Sequence, residues 1–180
     1  LLATARETGL LCTEAIWTRY MPSRTIIHDL LASGIIGEIR TVSANLGYTI
    51  TGKARLTDPA LAGGALLDVG VYPLNFVDMI LEGRPYDRMA TAMTPYQTGV
   101  DAQSTTTLFY PDTVMAVAYP SMVSISDRAG VVWGTDGHLL CRHVHDISAA
   151  DLYDRHYRLV KPVALPAPLP RYADESPPAP

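Results

Sequence analysis

The chain has 180 residues, of which 48% are hydrophobic and 18% charged, and its formal net charge is −4. This length and composition predict a globular domain with a core of its own and exclude a disordered chain. The negative charge and the lack of a Lys/Arg-rich block argue against a nucleic-acid partner, and no apolar run approaches the roughly 20 residues of a membrane helix.

The first 15 residues predict the end of a preceding α/β domain. A helix over residues 1–9 ends at Gly9, and an apolar strand follows from Leu10 to Ala15. A helix followed by a buried strand is half of a crossover unit and cannot cover both faces of a sheet alone. We therefore expect residues 1–15 to be a remnant, and the chain to be part of a longer protein.

Helices dominate the next part of the chain. In order, the sequence predicts a helix over 22–34, a strand over 36–50, a polar loop over 51–59 and a glycine-bearing helix that ends near Leu81. Pro73 lies inside the last helix, where it removes an amide donor and clashes with the preceding turn. We therefore expect a kink or an irregular start near Tyr72.

Strand patterns dominate from Arg88 onward. Candidate strands cover 89–97, 102–110, 114–119, 130–133 and 138–143, with one more over 153–160. The predicted fold class is therefore α+β, with helices packed on one face of a large, mostly antiparallel sheet, and residues 16–161 form this domain. Half of the 14 prolines follow Lys161, and residues 162–180 predict an extended, mobile tail that forms neither ladder nor helix.

A carboxylate and a phenol four residues apart form the first candidate site. On a helix, Asp68 and Tyr72 project from one face. A phenol with a pKa of about 10 needs a nearby cation to act at neutral pH, and Arg19, Arg40 and Arg55 are the candidates in this chain. The alternative is that Asp68 bonds locally while Tyr72 is a core aromatic with a solvated hydroxyl.

Two further patterns extend this candidate site. Gly63 and Gly64, upstream of Asp68, allow either another backbone or a flat ligand to approach closely. Trp17 and Arg19 follow the predicted N-terminal strand, and this pair suits a flat ring and a polar substituent. An interdomain hinge with ordinary packing is the alternative.

His143 and His145 are two residues apart, a spacing at which strand histidines can share a metal. Because no firm third ligand follows at a characteristic spacing, we expect solvent-facing strand histidines and no metal site. Cys12 and Cys141 are isolated in apolar stretches. They predict two reduced, largely buried thiols in a cytoplasmic protein.

Four stretches carry a resemblance to a known family: residues 14–22, 34–40, 58–74 and 134–137. In this order they resemble the Gfo/Idh/MocA family of NAD(P)-dependent oxidoreductases, in the branch that acts on sugars and trans-dihydrodiols. The resemblance implies an N-terminal dinucleotide-binding domain, of which residues 1–15 are the end, and a C-terminal α+β domain for substrate and dimerisation.

The resemblance also implies roles for individual residues. Tyr72 matches the proposed acid/base and Asp68 the carboxylate one turn earlier. The other matches are Trp17 and Arg19 beside nicotinamide and substrate, Arg40 on substrate, and Gly63 and Gly64 at the cofactor. The family's glycine-rich fingerprint and its lysine lie upstream of Leu1, so we expect this chain alone to be inactive.

The sequence thus predicts a fragment of an oxidoreductase that passes hydride between a CH–OH group of a sugar or trans-dihydrodiol and NAD or NADP. A homodimer through the sheet face accompanies this hypothesis. The alternative is a non-catalytic module that dimerises or binds a partner through its open sheet.

Overall fold

The computed structural model describes residues 1–166. Eight strands form one sheet: β1 (Ile39–Gly47), β2 (Arg88–Pro95), β3 (Asp101–Phe109), β4 (Met115–Ser121), β5 (Gly130–Gly134), β6 (Gly137–Arg142), β7 (Ala149–Asp154) and β8 (Leu159–Val163). Their spatial order is β2-β3-β4-β1-β5-β6-β7-β8. Every neighbouring pair is antiparallel except β1 and β4, which run parallel. The predicted α+β class is confirmed.

The helices are α1 (Leu2–Thr8), α2 (Pro22–Ala32), α3 (Ala54–Thr57) and α4 (Val71–Ile80). Helix α4 packs across β1 and β4 in the centre of the sheet. Phe76 of α4 is fully buried, and a Cβ added at Gly130 of β5 would lie 2.5 Å from its ring. The absence of a side chain at Gly130 therefore lets the helix approach the sheet closely.

The glycine-bearing segment before α4 is not one regular helix. A 3-10 turn, Pro59–Leu61, is followed by a π-helical stretch, Leu66–Gly70, which leads into α4. The predicted irregular start near Tyr72 is confirmed, and the predicted plain loop over 51–59 is wrong because α3 lies within it. A π-helical stretch widens the turn just before Pro73, whose ring cannot fit an ordinary α-turn.

By length and composition alone, Pro59–Ile80 is apolar enough to cross a membrane. In the structure, six of the ten α4 residues are buried within the protein, and the segment is broken into three helical types. Packing on the sheet accounts for the apolar character of α4.

The N-terminal region differs from the prediction in one element. Helix α1 and its stop at Gly9, with a φ of 68°, are confirmed. The predicted strand from Leu10 to Ala15 is wrong, because no described strand lies beside it to share backbone hydrogen bonds. Cys12 is consequently exposed rather than buried, whereas Cys141 is fully buried as predicted.

The C-terminal strands also need correction. The single strand predicted over 153–160 is two strands, β7 and β8, because Asp154 turns the chain by accepting hydrogen bonds from the backbone amides of His156 and Arg158 at 2.8 and 3.0 Å. The tail from Pro162 was expected to form no ladder, yet Pro162 lies in β8 and pairs with Asp151 of β7. Proline is tolerated there because β8 is an edge strand. The predicted tail from 167 lies outside the described residues.

Candidate functional site

An open cleft of about 920 Å³ lies between the segment before α2 and the first turns of α4. One wall comes from the extended residues 13–16 and the 3-10 turn Trp17–Tyr20, and the other from α4 and the end of the π-helical stretch. Its polar lining groups are Thr13, Glu14, Arg19, Tyr20, Tyr72, Asn75 and Asp78. Apolar side chains such as Leu67 and Val71 lie between them, so the cleft suits a small polar molecule with one flat face.

A hydrogen-bonded network fixes the two walls to each other. Arg19 donates through Nε to Asn75 Oδ1 and forms an ion pair through Nη2 with Asp78. Asn75 donates through Nδ2 to Thr18 Oγ1 over 3.1 Å, with both residues buried. Because both ends of the guanidinium are held, Arg19 presents its remaining N–H groups in a fixed direction.

Tyr72 lines this cleft at the start of α4 and is half-buried. Its ring meets the edge of His145 with centroids 6.1 Å apart, and His145 Nε2 lies 3.3 Å from the hydroxyl of Tyr48. No hydrogen bond holds the Tyr72 hydroxyl among the residues the structure covers. The phenol is thus positioned by ring packing while its hydroxyl is available to a ligand.

The predicted solvent-facing strand histidines are therefore wrong for His143 and His145. Strand β6 ends at Arg142, and both histidines lie in the following turn, where His143 has a φ of 59°. Their rings pack at 6.1 Å from each other. Within residues 1–166, no group of three or more His, Cys, Asp or Glu side chains is arranged to hold a metal.

Asp68 lies on the π-helical stretch one turn before Tyr72, and it does not line the cleft. Its carboxylate forms an ion pair with Arg55 of α3. Over the described part of the chain, no hydrogen bond joins Asp68 to Tyr72. The pair from the sequence is thus adjacent in space, but the strongest partner of Asp68 is a cation.

The three candidate arginines have different neighbours. Arg19 lies in the cleft but is paired with Asp78, and Arg55 is paired with Asp68. Arg40 is not brought to the cleft: it donates to Asp112 O over 2.7 Å and pairs with Glu38, beside the C-terminal end of α4. That end is about 12 Å along the helix from Tyr72 at 1.5 Å per residue. None of the three offers an unpaired charge to the phenol.

Trp17 and the glycine pair also lie outside the cleft lining. Trp17 is on the 3-10 turn and is exposed at the surface. A Cβ at Gly63 would come within 2.6 Å of Leu56 O, and one at Gly64, with a φ of 124°, would meet the Asp101 carboxylate. Of the two possibilities that the sequence left open, the close approach at Gly63 is to the chain's own backbone, and Gly64 makes room for a carboxylate.

The model of the family described as GFO/IDH/MocA C-terminal domain matches residues 25–140 of this chain. The chain belongs to this family. The resemblance expected from the sequence is confirmed, and the sheet with its covering helices is the fold of these C-terminal domains.

Curated relatives of the family support the same assignment. The trans-1,2-dihydrobenzene-1,2-diol dehydrogenases of Sus scrofa and Bos taurus are 37% and 40% identical over 137 residues, which are 76% of this chain and 41% of each relative. The chain thus spans about two-fifths of the length of the curated relatives it matches.

Solved structures share the fold. A 3-ketoreductase from Actinomadura kijaniata, in complex with NADP and TDP-benzene, superimposes with a TM-score of 0.78 and 25% identity, covering 92% of this chain and 52% of that one. The aldose–aldose oxidoreductase from Caulobacter crescentus, complexed with glycerol, gives 0.75 at 20% identity and covers 94% and 51%.

Sequence reasoning missed three residues at the site, Tyr48, Asn75 and Asp78, and it placed His145 on a strand rather than beside Tyr72. Two of them were detectable, since Asn75 and Asp78 are the polar residues in an otherwise apolar helix three and six positions after Tyr72. Tyr48 and His145 are 97 residues apart in sequence, and only the fold brings them together.

Proposed function

We propose that this chain is the substrate-side domain of an NAD(P)-dependent oxidoreductase that acts on a CH–OH group of a sugar or trans-dihydrodiol. The observation that carries the proposal is that the phenol of Tyr72 lines an open cleft together with the fixed guanidinium of Arg19. The dihydrodiol dehydrogenases and sugar-acting oxidoreductases among its relatives agree with this choice of substrate.

In this proposal Tyr72 moves the proton of the reacting hydroxyl. During oxidation its phenolate oxygen accepts the proton from the substrate O–H, and during reduction its hydroxyl returns a proton to the carbonyl oxygen. Arg19, held by Asn75 and Asp78, donates to a neighbouring substrate oxygen and orients the carbon that reacts. When bound, NAD or NADP supplies the hydride transfer at that carbon.

The charges around Tyr72 indicate that a cation must come from elsewhere. Phenolate formation at neutral pH requires a nearby positive charge, and the arginines near the cleft are paired with Asp78 and Asp68. The lysine that the family resemblance implies upstream of Leu1 would fill this role in the complete protein. The N-terminal domain that the resemblance implies would hold most of the dinucleotide, and Tyr20 of this chain lies in the cleft lining.

Hydride transfer by the complete gene product tests the proposal. NADP⁺ and NAD⁺ reduction is followed at 340 nm with a panel of aldoses and trans-dihydrodiols, and the reverse reaction with the matching ketones. We expect turnover on at least one of these classes with one cofactor preferred. Absence of hydride transfer in both directions across the panel would contradict the proposed reaction.

The isolated chain is expected neither to bind dinucleotide tightly nor to turn over. Its described residues supply no phosphate-binding turn between a strand and a helix. Isothermal calorimetry with NADPH measures this directly. A dissociation constant in the micromolar range for the 180-residue chain would contradict the proposal that an N-terminal domain holds most of the dinucleotide.

A homodimer through the open sheet face is the partner that we propose. Strand positions facing away from the helices expose Met115, Tyr119 and Trp133 at 36%, 42% and 37%. The alternating residues of the same strands, such as Ala116 and Val132, are buried against the helices. A second copy would cover these side chains, since apolar patches of this kind mark protein contacts.

The same surface supports the second candidate function, a module that dimerises without catalysis. Multi-angle light scattering of the wild-type chain and a Trp133→Glu variant tests the interface that both functions share. Both functions predict a wild-type dimer that the charge converts to monomer. A dimer without hydride transfer in the complete protein favours the module, and a monomer at high concentration contradicts the sheet-face interface.

A further inference from the structure

Tyr72 belongs to a chain of ring contacts that extends beyond the cleft. The His145 ring lies edge-to-face against Tyr72, with centroids 6.1 Å apart and an interplanar angle of 78°. It lies in the same way against Tyr48, at 6.2 Å and 75°. Edge-to-face contacts at such distances are attractive and directional. One imidazole thus contacts two phenol rings, of which only Tyr72 lines the cleft.

A polar contact ties the His145 ring to Tyr48. The Tyr48 hydroxyl lies 3.3 Å from His145 Nε2, and the two atoms can bond with either one as the donor. The Tyr48 ring is itself contacted by a guanidinium, since Arg128 Cζ lies 5.7 Å from its centroid. Its backbone amide donates to Ser121 O over 3.0 Å. Tyr48 is therefore a fixed partner for the imidazole.

The turn that carries His145 is anchored in the core. Val144 and Ile147, one before and two after His145, are 1% and 2% exposed. His143 Nδ1 and Ser148 Oγ, 3.1 Å apart, join the two ends of the turn. Because close-packed side chains resist displacement, the turn holds the imidazole in one place.

This support bears on the proposed proton transfer. Tyr72 lies near the start of α4, directly after the irregular π-helical stretch Leu66–Gly70, so its ring orientation depends on what packs against it. We propose that His145 is a positioning residue, held by Tyr48, that orients the Tyr72 phenol for proton transfer. The inference rests on the proposed function for the role of Tyr72, whereas the contacts themselves need neither substrate nor dinucleotide.

The kinetics of the complete protein test the proposal. A misplacement of about 1 Å can cost about 10²-fold in rate, so His145→Leu, which keeps apolar bulk and loses the ring, should lower kcat by about 10–100-fold. Tyr48→Phe keeps both ring contacts, loses only the hydroxyl and should lower kcat by about 3–10-fold. KM should change by less than about twofold in both variants, because neither residue lines the cleft.

A double-mutant cycle separates positioning from a general loss of structure. Tyr72→Phe leaves no phenol proton to position, so in that background His145→Leu and Tyr48→Phe should each leave the residual kcat nearly unchanged. A purely structural role would lower kcat by the same factor in both backgrounds. Tyr86→Phe is the matched control and should keep the wild-type kcat, because Tyr86 forms an edge-to-face pair with Tyr110, at 6.3 Å and 81°, outside the cleft lining.

NMR of the 180-residue chain tests the contacts without catalysis. Ring-proton NOEs should link His145 to both Tyr48 and Tyr72, and the Tyr72 ring signals are assigned by their change in Tyr72→Phe. We expect Tyr48→Phe to weaken the NOE between His145 and Tyr72 and to shift the Tyr72 ring resonances. Tyr86→Phe should change neither.

Tyr48→Phe decides the question even where His145→Leu fails to fold, because it removes one oxygen and no ring. A wild-type kcat or an unchanged NOE in Tyr48→Phe would overturn the proposal, as would equal losses of kcat in the wild-type and Tyr72→Phe backgrounds. A weakened NOE in a chain whose complete protein transfers no hydride would uphold the positioning while contradicting the proposed function.

Discussion

The N-terminal segment and the sheet domain contain similar apolar residues, which are exposed in the segment and buried in the sheet domain. In residues 1–16 no side chain is buried, and Leu11 is 91% exposed. In β6, on the sheet, Leu139 is fully buried. The difference lies in the neighbours, because a strand needs a partner for its backbone and a surface for its side chains. Burial is thus set by what the rest of the described chain brings alongside.

The cleft lies where these two regions meet. Residues 13–16 form its outer wall, and the Thr18–Asn75 hydrogen bond and the Arg19 contacts join it to α4. These contacts, called the seam below, join a well-packed domain to a segment with little packing of its own. The proposed function therefore depends on the seam. The following predictions separate the two regions, beginning with the largest effect.

Truncating a leucine should lower the free energy of unfolding far more in the sheet than in the N-terminal segment. Leu139→Ala leaves a cavity in the core and should lower the free energy of unfolding by about 2–5 kcal/mol. Leu11→Ala removes a solvated side chain and should change it by less than about 0.5 kcal/mol. Urea unfolding followed by circular dichroism measures both, and equal losses would contradict the contrast.

The two cysteines should differ in their response to pH. Burial raises the pKa of the Cys141 thiol from 9.0 to about 12, so above pH 9 the unfolded state releases a proton that the folded state keeps. The resulting stability is complete below pH 9 and is lost as pH rises toward 12, by about 1.4 kcal/mol per unit.

Cys141→Ala should therefore lose less stability than the wild type between pH 9 and 11, whatever its stability at pH 7. Exposed Cys12 provides the matched control, and Cys12→Ala should keep the wild-type slope. At pH 8 a thiol reagent should label Cys12 at once and Cys141 only on unfolding. Prompt labelling of both thiols would contradict the burial of Cys141 in β6.

Breaking the seam should have an intermediate effect. Asn75→Ala removes the partner of buried Thr18 and of Arg19 Nε, which should cost about 1–3 kcal/mol. Gln97→Ala, which removes an exposed hydrogen bond to Tyr96, is the control and should be nearly neutral. Protease digestion should also cut residues 10–16 faster in Asn75→Ala, and an unchanged cutting rate would show that the seam does not restrain the segment.

The smallest effect belongs to the Arg19–Asp78 ion pair. Its side chains are 39% and 47% exposed, so Asp78→Asn should lower stability by no more than about 1 kcal/mol at low salt. In 1 M NaCl the difference from the wild type should vanish. A large, salt-independent loss would indicate that Asp78 acts through packing rather than charge.

Much of the sheet could be predicted because its strands carry local patterns. Alternation over residues 102–110 matches β3, in which alternate residues Ala102, Ser104, Thr106 and Leu108 are buried. The pattern failed at Leu10–Ala15, where apolar residues find no partner strand, and between β7 and β8, where Asp154 makes the turn with its own side chain. The first failure depends on groups outside the local window, whereas the second is local, since the amides that Asp154 binds lie two and four residues after it.

The candidate site was predictable in part for the same reason. Asp68 and Tyr72 are close in sequence, so helical spacing placed them one turn apart, but only Tyr72 lines the cleft. The pairing of Asp68 with Arg55, the packing of His145 on Tyr72 and the distance of Arg40 from the cleft all depend on tertiary contacts. Sequence spacing cannot predict ion pairs between residues that only the tertiary fold brings together.

The central claim is that Tyr72 is the acid/base group of the complete protein. The most direct measurement is kcat for Tyr72→Phe beside Tyr86→Phe, which removes a hydroxyl from an exposed tyrosine outside the cleft. We predict a loss of about 10²–10⁴-fold for Tyr72→Phe with little change in stability, and no loss for Tyr86→Phe. A Tyr72→Phe enzyme with wild-type kcat would contradict the account.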